Sequence, residues 1–299
     1  MASEPKITYL NDPNLKKVGV EYSFTQEQVD EYVKCKNDII YFVETYMLIR
    51  HVDRGLIPFK LYDYQKRLLL QIQENRFSIA LTPRQVGKSI VTIAFLLHYS
   101  LFNEYKMIGI IANKGATSRK ILEKYQLAYK KLPFFLQQGV TEWNKGSLAV
   151  ENGSSILTGS TTSDSIRGDS LSLLFVDEAA FIQNNLWDSF WKSVYPTISS
   201  GTTTKVVLVS TANGMNHYYK MWEDAINGRS KFVPFTIKWS DVPGRDEAWK
   251  AETIANTSED DFRQEHNCLS GDVEVNICIN TNVSKKLTLE GLFNDLSDL

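Results

Sequence analysis

Residues 77–102, FSIALTPRQVGKSIVTIAFLLHYSLF, constrain the chain more than any other segment. FSIAL has the length and apolar content of a buried strand, TPRQVGKS is a loop broken by Pro83 and Gly87, and the rest is a mostly apolar run long enough for a helix. A buried strand turning through a glycine-containing loop into a helix is the unit from which covered parallel sheets are built. The pattern recurs. MIGIIA (107–112) reads as a strand and TSRKILEKYQLAYKKL (117–132) as an amphipathic helix. LSLLFVDEAAF and TTTKVVLVSTANG supply two more buried strands, and MNHYYKMWEDAINGR a helix that stops near Gly228. The expected class is therefore α/β, a mainly parallel central sheet flanked by helices. Asn152 and Gly153 lie between two alternating runs and predict a hairpin. Upstream, Thr25 and Gln28 in capping-box spacing open one or two helices carrying Val29, Tyr32, Val33, Ile39, Ile40 and Val43. DRGLIPF reads as a turn, and LYDYQKRLLLQIQ as a helix with Leu68, Leu69 and Ile72 facing inward.

Composition narrows the function classes. Of 299 residues, 43% are hydrophobic and 23% charged, with a net charge of −2, so any nucleic-acid contact has to be local rather than a product of overall charge. Cys35, Cys268 and Cys278 form neither a disulfide framework nor a metal-ligand spacing, which suits a reducing cytoplasm. No run approaches the roughly 18 apolar residues of a membrane span, and no membrane partner is expected.

Between its strand and its helix, LTPRQVGKSI has the context of a phosphate-binding loop, in which free N–H groups at a helix start face nucleotide phosphates. Lys88 would reach the β and γ phosphates, and the Ser89 hydroxyl would ligand Mg²⁺. Thr82 stands where the usual pattern has its first glycine. LLFVDEAAF delivers Asp177 and Glu178 to the end of a buried strand, where Asp177 would hold Mg²⁺ through water and Glu178 would activate the attacking water. Ser210 and Thr211, at a third strand end, either sense the γ phosphate through water or form a polar turn. Tyr64 and Gln65 either meet an adenine, by stacking and by an edge hydrogen bond, or belong to the core. Arg119, Lys120, Lys124, Lys130 and Lys131 on one helix make either a solvated face or a contact for DNA phosphates.

YDYQ, PRQVGKS, IRGDS, LLFVDEAAF, STANG and FRQEH, in this order over residues 30–267, resemble the ATPase domain of the large terminase subunit of T-even-like tailed bacteriophages. The resemblance implies a P-loop NTPase of the additional-strand, catalytic-Glu type at 61–267, after an N-terminal helical segment at 1–60. It implies an ATP- and Mg²⁺-dependent motor acting in the host cytoplasm. That motor would work as a homo-oligomeric ring with the portal and small terminase subunit, driving double-stranded DNA into a procapsid. In that family the phosphate loop commonly lacks its first glycine and carries an arginine just inside it, which points to Arg84 as an arginine finger. Nucleotide contacts then fall on Tyr64, Gln65, Arg84, Gln85, Val86, Gly87, Lys88 and Ser89. Asp177 and Glu178 match the metal-ordering and catalytic carboxylates, and Ser210 and Thr211 the coupling motif, from which Ala212 departs. Arg167 in SIRGDS is either an alternative finger toward a neighbouring subunit or a structural loop residue. A helicase-like P-loop ATPase is the enzyme alternative, but it needs a second such core.

Large terminases join a nuclease to this ATPase, and the 32 residues after Asn267 are too few for one, so it is expected on another polypeptide. CLSGDVEV and the alternation Val273, Val275, Ile277 resemble the first block of an intein, with Cys268 as the splicing nucleophile, although Val273 replaces the usual threonine. No later intein block follows. The resemblance implies a split-intein N-terminal fragment at 268–299 and a trans-splicing partner that carries the nuclease half. The alternative is a strand and helix that finish the ATPase domain.

Overall fold

The computed structural model describes residues 7–162, 170–266, 274–280 and 283–288. Thr25 accepts the Gln28 N–H while the Gln28 side chain returns the bond, and this capping box starts α1 (Gln26–Asn37). There follow α2 (Ile39–Tyr46), β1 (Leu48–His51), β2 (Gly55–Pro58), α3 (Asp63–Glu74), β3 (Phe77–Leu81), α4 (Lys88–Phe102), β4 (Met107–Ala112) and α5 (Gly115–Lys130). The second half adds β5 (Val140–Trp143), β6 (Ser147–Val150), β7 (Ser155–Ser160), β8 (Leu173–Asp177), α6 (Asn184–Ser200), β9 (Lys205–Ser210), α7 (His217–Ile226) and β10 (Val233–Thr236). Last come α8 (Glu247–Asn256), α9 (Glu259–Glu265), β11 (Glu274–Asn280) and β12 (Val283–Thr288).

Eight strands form one sheet in the order β10–β3–β9–β8–β4–β7–β6–β5. The pairs from β10 to β7 are parallel, and β7–β6 and β6–β5 are antiparallel. Strand alternation splits the core in two. Ala80, Val207, Val209, Phe175, Ile108 and Ile110 enter one cluster, with Leu69 and Ile72 of α3, Phe42 of α2 and the helices α4 and α5. Their neighbours Ile79, Leu81, Val206, Leu208, Leu174 and Val176 enter the other, with Trp187 and Phe190 of α6 and Tyr218 and Trp222 of α7. Helices thus cover both faces, as the repeated strand–helix pattern implies. Helix α4 has twelve of its fifteen residues buried, so it is apolar nearly all round. A leucine-to-alanine change at Leu96, which has no exposed surface, would cost about 2–5 kcal/mol.

Asn152 and Gly153 turn the chain between β6 and β7 as expected, with Gly153 at φ +79° and the Tyr105 ring where a Cβ would stand. DRGLIPF is not a plain turn: its second half is β2, paired antiparallel with β1. Four-residue strands with one exposed side carry too little alternation to stand out, which also hides β5 and β10. Helix α6 escapes expectation because Pro196 lies inside it. The β11–β12 hairpin pairs with no other strand among the described residues.

Candidate active site at the carboxyl edge of the sheet

The parallel strands β3, β9 and β8 end side by side, and the loop from Thr82 to Gly87 leads from β3 into α4. Thr82 donates its N–H to Ser210 O (3.1 Å), continuing the β3–β9 ladder, so this position needs no glycine. The left-handed turns fall later, at Gln85 (φ +57°) and Gly87 (φ +81°). A Cβ on Gly87 would stand 2.6 Å from Gln65 Nε2, so glycine is required there on two counts. No side chain caps α4, which leaves its first-turn N–H groups open to an anion.

Four expected residues meet across β9, the strand interposed between β3 and β8. Lys88 Nζ lies 3.1 Å from Glu178 Oε1, and the Ser89 hydroxyl donates to Asp177 Oδ2 at 2.8 Å. Asp177 is almost wholly buried, and that burial, with the neighbouring Glu178 charge, raises its pKa against the pull of Lys88 and Ser89. Glu178 has left-handed backbone (φ +52°, ψ +41°), a strained setting for a residue with a Cβ. Its N–H donates to Asp177 Oδ1. Ser210 and Thr211 are fully buried between these groups: Ser210 Oγ accepts the Ala180 N–H, and the hydroxyls of Thr211 and Thr82 have no hydrogen-bond partner among the described residues.

Tyr64 and Gln65 both donate to Val86 O (3.1 Å each) and so brace the loop from α3. Tyr64 is buried and stacked on the half-exposed Tyr62, and burial pushes its hydroxyl up to about 12. Arg84 forms an ion pair with Glu265, and its N–H donates to Glu265 O (2.9 Å). Arg245 adds hydrogen bonds to Arg84 O (3.1 Å) and Gln85 O (3.4 Å). An aromatic knot of Trp239, Trp249, Phe262 and His266 sets α8 and α9 in this position. Glu265 and Arg245 carry no role in the sequence reading, although FRQEH was a visible motif. Only the tertiary packing brings them to the loop.

A cavity of about 330 Å³ opens beside the loop, lined by Leu48, Ile49 and Arg50 of β1, by Gln85 and Gly87 to Ile90, and by Lys124 and Leu127 of α5. The four cations of α5, Arg119, Lys120, Lys124 and Lys130, therefore do not share one face, and Lys131 follows as its C-cap. Lys130 is paired with Asp12 at 2.7 Å and lies over Trp143, roughly 120° around the helix from Lys124. Arg167 and Cys268 lie outside the described residues. The oxygens of Ser89 and Asp177 fit a hard divalent cation such as Mg²⁺, which would complete its shell with phosphate and water oxygens.

Residues 79–283 match the family described as "Terminase large subunit, T4likevirus-type, N-terminal", well over half of the chain. The chain belongs to this family. It is 27% identical over 158 residues to tripartite terminase subunit 3 of human herpesvirus 7, a stretch covering 50% of this chain and 22% of that protein. The chain thus spans about a fifth of that relative. Among solved structures, the large terminase of bacteriophage HK97 superposes with a TM-score of 0.62 at 18% identity, covering 81% of this chain and 60% of that one. The ATPase domain of the Thermus phage P74-26 large terminase gives 0.55 at 21%, covering 70% and 94%. The large terminase of a further thermophilic bacteriophage, in complex with ADP, gives 0.56 at 13%, covering 72% and 55%. At these identities the likeness is one of fold. Among the described residues of this terminase family member, no helix is long and apolar enough to cross a membrane.

Proposed function

We propose that this chain hydrolyses ATP as the motor part of a DNA-packaging terminase. The observation that carries the reading is the double contact across β9, Lys88 to Glu178 and Ser89 to Asp177, at the foot of an uncapped helix. Phosphates would enter at the α4 N–H groups and draw Lys88 from Glu178. Freed, Glu178 would orient the attacking water and accept its proton, while Ser89 and Asp177 would hold a Mg²⁺ ion, which when bound would supply charge neutralisation on the phosphates. Gln65, Gln85, Val86 and Gly87 shape the loop, and Ser210 and Thr211 would pass loss of the γ phosphate to the strands on either side. Arg84 is half exposed and would leave Glu265 to stabilise charge in the transition state, with Arg167 as the alternative finger. A ring of copies in the host cytoplasm, with the portal and the small terminase subunit, would turn this cycle into movement of double-stranded DNA. The test is ATP hydrolysis by the full chain, alone and with linear DNA, portal and small subunit. The expected result is weak activity that rises with the complete set and is lost in Lys88→Ala. ATP-dependent strand displacement by the chain alone would instead favour a helicase.

The finer reading is a precursor completed by trans-splicing across the domain boundary after Asn267. Its support is the separate β11–β12 hairpin and a sheet that is complete before it. The Cys268 thiolate would attack the Asn267 carbonyl carbon; the Asn267–Cys268 peptide bond breaks, a thioester forms, and the freed Cys268 amine takes the thiol proton. A partner carrying the remaining intein strands and a nuclease half would finish the joining. Mixing the two chains and weighing the products should give a ligated species that Cys268→Ala abolishes. One observation favours the second reading, a tail belonging to the terminase domain: the family match runs on to Val283. A stable, unligated complex would decide for it.

A further inference from the structure

We propose that Arg50 and Lys124 capture the triphosphate of the incoming nucleotide, an inference that rests on the ATP-binding reading above. The loop's own cations are already neutralised, Lys88 by Glu178 at 3.1 Å and Arg84 by Glu265. Arg50 and Lys124 are exposed, line the same 330 Å³ cavity as Gly87, Lys88 and Ser89, and have no carboxylate partner among the described residues. No carboxylate lines that cavity, so its uncompensated positive charge sits on these two side chains. They come from different elements, the β1 strand of a small hairpin and helix α5, which pack against each other. The position is therefore held by the fold and is not an accident of one flexible segment. Ile49, Ile90 and Leu127 add an apolar wall that favours a sugar or base over a bare inorganic ion.

An anion approaching the site meets Arg50 and Lys124 first. Binding at Lys88 then requires the Glu178 pair to open, a step the first two cations make easier by holding the ligand nearby. Their contribution belongs mainly to the association rate, and it weakens with salt. Neither residue touches the catalytic carboxylates, so turnover at saturating ATP should change little.

The experiment is stopped-flow binding of a fluorescent ATP analogue with Mg²⁺ to the full chain, to Arg50→Gln, to Lys124→Gln and to the double variant, at several salt concentrations. Each single variant should lower the association rate about threefold and the double variant about tenfold, with a flatter salt dependence. Unchanged rates and salt slopes in variants that melt like the wild type would overturn the inference while leaving the ATP site intact. A loss of DNA binding with normal nucleotide association would also overturn it and return Lys124 to a DNA-contact role. If the wild-type chain bound no nucleotide, the functional reading itself would fall first. Should a glutamine variant misfold, the salt slope of wild-type association still decides, because a slope near zero contradicts capture by unpaired charge.

Discussion

At the amino edge of the parallel strands Arg76 and Lys205 end on main-chain carbonyls, whereas at the carboxyl edge Lys88 and Arg84 end on carboxylates. Arg76, before β3, donates to Thr204 O and Ile198 O (2.9 Å each) and to Gly201 O. Lys205, the first residue of β9, donates to Ile72 O, Gln73 O and Asn75 O at 2.7–3.1 Å. These contacts satisfy carbonyls in the last turns of α6 and α3 and just beyond them. At the other edge Lys88 and Arg84 hold Glu178 and Glu265, the hydroxyls of Thr82 and Thr211 are buried without partners among the described residues, and Glu178 keeps a left-handed backbone. On the ATP-binding reading, a phosphate would replace these carboxylates as partner of Lys88 and Arg84. On the same reading, a ligand would complete the carboxyl edge.

The largest expected effect that sharpens this contrast is on turnover. Glu178→Gln should cut ATP hydrolysis about 1,000-fold with nucleotide binding retained and no loss of thermal stability. Near-normal turnover would remove Glu178 as the base. Arg76→Ala should do the reverse: three carbonyls lose their donor, stability falls by about 3 kcal/mol in chemical denaturation, and turnover per folded molecule is nearly unchanged. Equal effects of the two changes on stability would break the comparison.

The smallest effect is a gain. Because burial raises the Asp177 pKa in the fold, its contribution to stability is present below the ordinary carboxylate range and lost as pH rises through the raised value. Above that value the ionised group is a burden in the fold, because burial penalises its charge. Asp177→Asn should therefore abolish hydrolysis and yet stabilise the nucleotide-free chain by about 1 kcal/mol, or roughly 2 °C in melting temperature, once the pH exceeds that raised value. The gain should vanish in acid.

How much of this was legible from the sequence follows from the range of the forces involved. The strands FSIAL, MIGIIA, LLFVD and KVVLVS declare themselves because both faces are buried, and Lys88, Ser89, Asp177 and Glu178 sit at fixed offsets from strand ends. The two faces of the sheet also followed from the alternating order of elements. Glu265 and Arg245 were not legible, since a pair of charges far along the chain reaches the loop only once the Trp249–Phe262 knot has folded. Nor was Arg50, carried by a hairpin whose four-residue strands look like a turn. The α5 cations were legible only as a solvated face or a DNA contact, because charge on a helix does not say what each residue meets.

Hydrogen exchange of the full chain with and without Mg²⁺ and a non-hydrolysable ATP analogue tests the contrast between the edges most directly. Added protection is expected at the N–H groups of residues 84–91, 178–180 and 211–213, with residues 73–77 and 201–206 unchanged. Protection confined to the amino edge, or none at residues 84–91, would contradict the account.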